Sequence, residues 1–115
     1  MLKADLVRLR HILDAAKEAL SFAAGKARSD LNGNRMLVLS LLKEIEIIGE
    51  AAGKVSSETR NDYKTIPWLD IIDMRNHLIH AYFDIDLDIL WDTVVHDLPS
   101  LVAELEKIIP PAENS

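Results

Sequence analysis

Hydrophobic residues recur along the chain at alternating spacings of three and four, which places their side chains on one face of an α-helix. One set predicts a first helix that runs to about Ala24, and another predicts a second helix from Asn34 or Arg35 to Val55. The sets are Leu2, Leu6, Leu9, Leu13, Ala16 and Leu20, and then Val38, Leu41, Ile45, Ile48, Ala52 and Val55. The segment between them, GKARSDLNGN, is rich in helix-breaking residues and predicts a loop.

Two more helices are predicted after a second polar segment, SSETRNDYKT, which we interpret as a linker. Pro67 suits the first turn of a helix, so the third helix is predicted to start near residues 66–68. The fourth helix extends to Ile108, and three aspartates suit its N-cap and first turn: Asp84, Asp86 and Asp88. Pro99 lies within its hydrophobic pattern and predicts a kink, or a restart after Asp97.

Four amphipathic helices joined by short loops pack most simply as an all-α, antiparallel four-helix bundle. With 115 residues we expect one domain, residues 1–115, that buries roughly two-thirds of its unfolded surface. We find no strand-like alternation. Gly49 and Gly53 lie inside the second helix, where each costs about 1 kcal/mol relative to alanine. Their spacing predicts a smooth groove where another backbone comes close.

Composition narrows the class of protein. Hydrophobic residues make up 49% of the chain but aromatic residues only 5%, which favours an aliphatic, helical core. The absence of cysteine excludes disulfides and thiolate metal sites. A net charge of -6 excludes a broad basic face for nucleic acid, so any such contact is local. The sequence shows no signal-peptide core and no run of membrane-spanning length, and we expect a soluble, cytoplasmic protein.

The octapeptide RNHLIHAY, residues 75–82, concentrates polar chemistry in the third helix. On an ideal helix Arg75 shares an apolar face with Trp68 and Ile72, where a buried cation needs an anion. The candidate partners in the neighbouring helix are Glu44 and Glu50. His80 lies about 140° from Arg75 on that helix. The two side chains meet only if the helix distorts or ends near Leu78, or if a second copy of the chain supplies half of the site.

A metal site is an alternative use of the same segment. Asp73, His77 and His80 occupy one helical face at i, i+4 and i+7, a spacing that suits a metal ion. This arrangement offers three ligands from one helix and leaves Arg75 without a role. His11 and His96 have no comparable neighbours, and we interpret both as surface or boundary residues.

The order Arg75, four residues, His80, one residue, Tyr82 resembles the R-x(4 to 6)-H-x-Y signature of the HEPN superfamily, particularly its HepT-like toxins. Three flanking segments also resemble HepT-like proteins in the same order: EIEIIGEAA (44–52), IPWLDIIDMRN (66–76) and FDIDLDILWDTVVHDLPSL (83–101). The resemblance covers nearly the whole chain. Ala81 departs from it, since relatives often carry glycine there, which bears on the local backbone geometry.

The resemblance implies an all-helical homodimer that acts as a metal-independent endoribonuclease, with no cofactor. It also implies a partner, a minimal nucleotidyltransferase antitoxin that transfers AMP to the motif tyrosine, here Tyr82. The motif helices of two protomers would meet, and both copies of Arg75 and His80 would lie in the cleft between them. Added AMP would bring bulk and negative charge to the mouth of this cleft.

The residue chemistry agrees with such a reaction. RNA carries its own nucleophile, the 2′-hydroxyl, so cleavage needs an acid–base group and a cation for the developing charge. His80 and Arg75 match these needs, Asn76 and Tyr82 are candidates for holding substrate, and His77 is a further helper. A helical dimer that binds a nucleotide or partner protein without cleaving RNA remains the alternative. It is favoured by the aspartates around the motif: Asp70, Asp73, Asp84, Asp86 and Asp88.

Overall fold

The computed structural model describes residues 1–81 and 84–111, with only the backbone described at residues 80 and 81. Most of this chain is helical. In chain order the elements are α1 (Lys3–Ala23), a 3₁₀ turn (Arg28–Asn32), α2 (Arg35–Gly53), α3 (Ser57–Asp62), α4 (Trp68–Leu78), β1 (Ile79–Ala81), β2 (Asp84–Ile85), α5 (Leu87–Asp92), a π-helical turn (Thr93–Asp97) and α6 (Leu98–Ile108). The expected all-α class is confirmed, and α1 and α2 begin and end close to the predicted bounds. The predicted third helix ends at Leu78, and the predicted fourth helix is divided into α5, the π-helical turn and α6.

Helices α1 and α2 form the centre of the bundle. They pack against each other along their length, while α4 packs on α2 and α6 packs on α1. The apolar face predicted for α2 is buried as expected, whereas the buried face of α1 is shifted from the predicted one: Leu9 and Ala16 are buried, but Leu2 is exposed. Leu6, Leu13 and Leu20 are partly buried at the edge of the core. The large side chains that are fully buried are Leu9, Ile12, Leu31, Leu41, Ile45, Ile48, Ile66, Ile71, Leu78, Leu90, Leu98 and Leu105. Within residues 1–81 and 84–111, no helix has the length and hydropathy needed to cross a lipid bilayer.

The segment SSETRNDYKT is not the plain linker that its polarity suggests, because it contains the short helix α3. Asp5 of α1 is buried and accepts hydrogen bonds from the Ser56 backbone N–H (2.9 Å) and from the hydroxyls of Ser56 and Thr59 (2.6 Å each). These bonds, led by the one from the Ser56 hydroxyl, hold the pKa of Asp5 below its usual value. A contact between residues more than fifty positions apart thus fixes the start of α3.

The end of the chain follows the expectation from Pro99. The chain continues from α5 through the π-helical turn, and α6 begins at Leu98 with Pro99 in its first turn. Asp86 caps α5 as expected, since its carboxylate accepts a 3.0 Å hydrogen bond from the Ile89 backbone N–H. Pro99 has no backbone N–H to donate, and the change from π-helical to α-helical structure falls at Leu98, immediately before it.

The two glycines of α2 have different surroundings. A Cβ at Gly49 would lie 3.2 Å and 3.3 Å from the carbonyl oxygens of Ile71 and Ile72, so α4 approaches α2 as closely as glycine allows. A Cβ at Gly53 would meet no atom within 4 Å. The predicted close approach of a backbone is therefore confirmed at Gly49 and wrong at Gly53.

Candidate active site

Helix α4 ends inside the octapeptide. Its last residue is Leu78, and the backbone N–H of Ile79 donates to the carbonyl of Arg75. The chain then forms an antiparallel ladder in which Ile79 pairs with Ile85, and the Asp86 backbone N–H donates to the Leu78 carbonyl at 2.8 Å. This bond gives a partner to a carbonyl that the end of the helix leaves free.

The strands correct the expectation that the sequence contains none. The helix end was one of the two solutions that the sequence left open for Arg75 and His80. Arg75 lies in the last turn of α4, and His80 belongs to the extended strand β1. The angle of 140° on an ideal helix therefore does not apply. The side chain of His80 and the whole of Tyr82 lie outside the described residues, so the roles predicted for them stay predictions.

Arg75 forms an ion pair with α2, but not with the residues that the sequence suggested. Its Nε donates to Oε1 of Glu46 at 2.8 Å, and the two side chains are 51% and 31% exposed. The expectation of a buried arginine paired with Glu44 or Glu50 is wrong. The reason is that Arg75 lies at the solvent edge of the contact between α2 and α4, where the helix face presented by α2 is that of Glu46 and Gly49.

Glu44 instead faces α1, where it is only 4% exposed and lies beside Glu18. Burial, followed by the hydrogen bond and charge repulsion from Glu18, raises the pKa of Glu44 to about 7. Its Oε2 atom is buried and has no hydrogen-bond partner among the described residues. Glu44 is therefore a poor counter-ion for any group on α4.

A groove of about 340 Å³ runs along the α2–α4 contact and contains the Arg75–Glu46 pair. Its walls are Ile45, Glu46, Gly49, Glu50, Ile72, Arg75 and Asn76. Among these described residues the charged members are one arginine and two glutamates, so they supply one positive charge, the guanidinium of Arg75. The groove suits a local contact with one anionic group and does not suit an extended nucleic-acid backbone.

Three further polar residues of α4 interact with one another. The Asn76 side-chain amide donates to the Asp73 carboxylate at 2.6 Å, and His77 Nε2 lies 3.2 Å from the other oxygen of Asp73. Asp73 and His77 thus lie together, as the metal hypothesis requires. Within the described part of the chain, however, no three potential ligands cluster around one point. The third proposed ligand, the side chain of His80, is outside that part.

The other two histidines behave as expected from their isolation in the sequence. His11 and His96 are both exposed. His96 Nδ1 lies 2.7 Å from Oδ1 of Asp92, one turn earlier in the same helical segment. Neither histidine lines the groove beside Arg75.

Glu46 is the site residue that sequence reasoning missed. The available signal was its spacing, three residues before Gly49, because a glycine at a close helix contact marks the face that meets the neighbouring helix. A residue one turn away on that face is placed to reach the neighbour's side chains. The hydrophobic pattern of α2 identifies its buried positions, but it gives no information on the partly exposed positions beside them, such as Glu46.

The described residues form a helical bundle with an exposed arginine at the end of α4 and a histidine in the strand that follows. This arrangement defines the class of protein, a helical bundle that carries the Arg-x4-His motif of its sequence. The profile of the family "Ribonuclease HepT-like" matches residues 12–108, and the chain belongs to this family.

Similar proteins occur in archaea and bacteria. The chain is 33% identical over 98 residues to the "Putative RNase MJ1380" of Methanocaldococcus jannaschii, which covers 85% of this chain and 90% of that protein. It is 33% identical over 100 residues to the "Probable ribonuclease HepT" of Thermococcus cleftensis, covering 87% and 91%. It is 31% identical over 101 residues to the "Putative RNase TTE0752" of Caldanaerobacter subterraneus subsp. tengcongensis, covering 88% and 90%. No solved structure matches the chain significantly.

Proposed function

We propose that this protein is an endoribonuclease that cleaves RNA by attack of the 2′-hydroxyl on the adjacent phosphate, without a metal ion. The main support for the proposal is that Arg75, in a chain of the ribonuclease HepT-like family, has a guanidinium that can bind a phosphate. Its guanidinium is half exposed and anchored at one nitrogen. Among the described residues its two Nη groups make no hydrogen bond, so they are available to a phosphate.

The residue roles follow from the reaction. Arg75 binds the phosphate and stabilises the charge that develops on it, and His80 exchanges protons with the 2′-hydroxyl or the leaving oxygen. A histidine with an ordinary pKa near 6.5 carries out such exchange at cellular pH. Asn76, beside Arg75 in the same groove, and Tyr82 contribute to substrate binding.

We further propose that the working unit is a homodimer whose interface includes α4. Among the residues that the structure describes, the groove beside Arg75 contains one cationic side chain and no histidine, whereas proton transfer at the attacking and the leaving oxygen uses two acid–base groups. A two-fold axis near the end of α4 would supply a second copy of Arg75 and of His80. Light scattering at micromolar concentration tests this, and a monomer under conditions where RNA is cleaved would remove the composite site.

The resemblance supports a biological setting. We propose that the ribonuclease is a cytoplasmic toxin and that its antitoxin is a minimal nucleotidyltransferase. The transferase would inactivate it by moving AMP from ATP to the hydroxyl oxygen of Tyr82, which forms a phosphodiester bond and releases pyrophosphate and the hydroxyl proton. A nucleotide on Tyr82, two residues after His80 in the sequence, would add bulk and a negative charge that repels the RNA phosphate. Mass spectrometry of the chain after incubation with ATP and such a transferase tests this step, and a Tyr82→Phe chain should gain no mass.

The test of the main proposal is RNA cleavage by purified protein in the presence of EDTA. We expect fragments that end in 2′,3′-cyclic phosphate, because the 2′-hydroxyl is the nucleophile. Loss of cleavage on chelation, with rescue by a divalent ion, would instead support a metal site at Asp73, His77 and His80. A folded dimer that binds a nucleotide or partner protein and cleaves no RNA would support the non-catalytic alternative.

A further inference from the structure

Glu46 makes a specific contact with the guanidinium of Arg75. It binds Nε, the nitrogen on the side of the arginine, at 2.8 Å. Among the described residues the two Nη groups make no hydrogen bond of their own, so the N–H groups on the outer edge of the guanidinium are not engaged there. This is the arrangement in which a carboxylate fixes the plane of an arginine and leaves its outer edge for a second anion.

The position of the Glu46 carboxylate is fixed by the close packing of α2 against α4. Glu46 lies in the middle of α2, and Gly49, one turn later, contacts the carbonyls of Ile71 and Ile72 on α4. Ile72 lies one turn before Arg75. The two helices therefore run antiparallel, with Gly49 opposite Ile72 and Glu46 opposite Arg75. The close contact at Gly49 sets the register that brings Glu46 to Arg75.

Glu50 provides a natural comparison in the same groove. It is exposed, it lies one turn after Glu46, and it forms no hydrogen bond or ion pair within the described part of the chain. Both carboxylates place negative charge near the phosphate site and repel RNA. Only Glu46 contacts the arginine, so the two glutamates separate the effect of charge from the effect of orientation.

We propose that Glu46 is the positioning residue of the site, holding Arg75 by Nε so that both Nη groups meet a phosphate of the RNA. The inference rests on the proposed ribonuclease function. It predicts that Glu46 acts on the chemical step through Arg75, because an oriented guanidinium stabilises the developing charge better than a mobile one.

The experiment compares Glu46→Gln and Glu50→Gln by steady-state cleavage of one defined RNA. Each change removes one negative charge from the groove, so both should leave KM unchanged or lower it. For Glu46→Gln we expect kcat to fall by at least about tenfold, since an interaction specific to the transition state is weakened. For Glu50→Gln we expect the KM effect alone. Circular dichroism melting establishes that both variants are folded.

A second background tests whether Glu46 works through Arg75. Arg75→Lys keeps a positive charge but lacks the side nitrogen and the fork of Nη groups. In Arg75→Lys, adding Glu46→Gln should change kcat by less than about twofold, because coupled residues are not additive.

The outcomes separate the two claims. If folded Glu46→Gln keeps the kcat of wild type, or if it lowers kcat equally in both backgrounds, the positioning role is wrong while the ribonuclease function stands. If wild-type protein cleaves no RNA under any of the conditions above, the proposed function fails and the role of Glu46 fails with it.

Discussion

Two glutamates of α2, two residues apart, have opposite environments. Glu44 and Glu46 are separated by about 200° around the helix, so they lie on opposite faces. Glu44 faces α1, is almost fully buried and lies beside Glu18, whereas Glu46 faces α4, is partly exposed and binds Arg75. The same side chain in the same helix is therefore buried beside another carboxyl group on one face and bound to an arginine on the other.

The comparison shows how the two carboxyl groups differ in their effect on the stability of the fold. Burying a carboxyl next to another carboxyl favours its neutral form, so the contact at Glu44 couples the α1–α2 interface to pH. The Glu46–Arg75 pair is near the surface, where an ion pair contributes about 0–1 kcal/mol to stability. We infer that the Glu44 face affects stability and the Glu46 face affects function, and the following predictions test this division.

The largest expected effect is on the functional side. His80→Ala should lower RNA cleavage by about 10²-fold or more, the usual contribution of a general acid or base. Arg75→Ala should lower it similarly. The half-exposed position of Arg75 also changes the expectation for folding, because removing a surface ion pair costs about 1 kcal/mol or less and not the larger cost of breaking a buried pair. Cleavage assays and melting curves check both variants. Wild-type rates in folded protein would refute these assignments.

The second effect concerns pH and Glu44. Between pH 4.5, the ordinary pKa, and about 7, the folded chain holds a proton on Glu44 that the unfolded chain has lost. The free energy of unfolding should therefore fall as pH rises through this window, by roughly 3 kcal/mol for this group. Urea unfolding at a series of pH values measures the slope.

Glu44→Gln should remove that slope, because the amide is neutral at every pH in the range. Glu46→Gln is the matched control on the opposite face, and it should keep the slope of wild type since Glu44 is still present. If the two variants show the same pH dependence, the assignment of the buried proton to Glu44 is incorrect.

A smaller effect is expected at Gly49. Alanine there would press its Cβ against two main-chain oxygens of α4, which must move by a few tenths of an ångström. Overpacking lowers the free energy of unfolding by about 1–3 kcal/mol, and the better helix propensity of alanine raises it by about 1 kcal/mol. We therefore expect a net destabilisation of about 1 kcal/mol. RNA cleavage should fall several-fold, because the shift displaces Arg75 relative to Glu46. Unchanged cleavage would argue that this register is unimportant.

The smallest effect is expected at Gly53, which has the same residue type in the same helix but open space around it. Gly53→Ala should stabilise the protein by about 0.5 kcal/mol, because alanine loses less conformational entropy on folding and meets no neighbour. Its cleavage rate should equal that of wild type. A destabilised Gly53→Ala would mean that the glycine is needed for a contact beyond those described, for example in an assembly.

The periodicity of hydrophobic residues is enough to predict the main helices, the buried face of α2 and the segment that carries the chemistry, although the buried face of α1 is shifted from the predicted one. Three-four spacing is a local property, and it located α1, α2 and α6 because each needs only one continuous apolar face. Pro99 and Asp86 likewise act through the backbone within a few residues. The motif from Arg75 to Tyr82 was visible for the same reason, since its residues are close together in the chain.

The pairings between side chains depend on how the helices pack. Helix α3 depends on Asp5, α4 ends where the Asp86 backbone meets Leu78, and Arg75 finds Glu46 because α2 and α4 touch at Gly49. Each is a contact between residues distant in sequence, and the helical period is unchanged whichever partner is chosen. The charge of Arg75 and the apolar residues around it in the sequence predict that it needs an anionic partner. Only the packing of α2 against α4 determines which glutamate faces it.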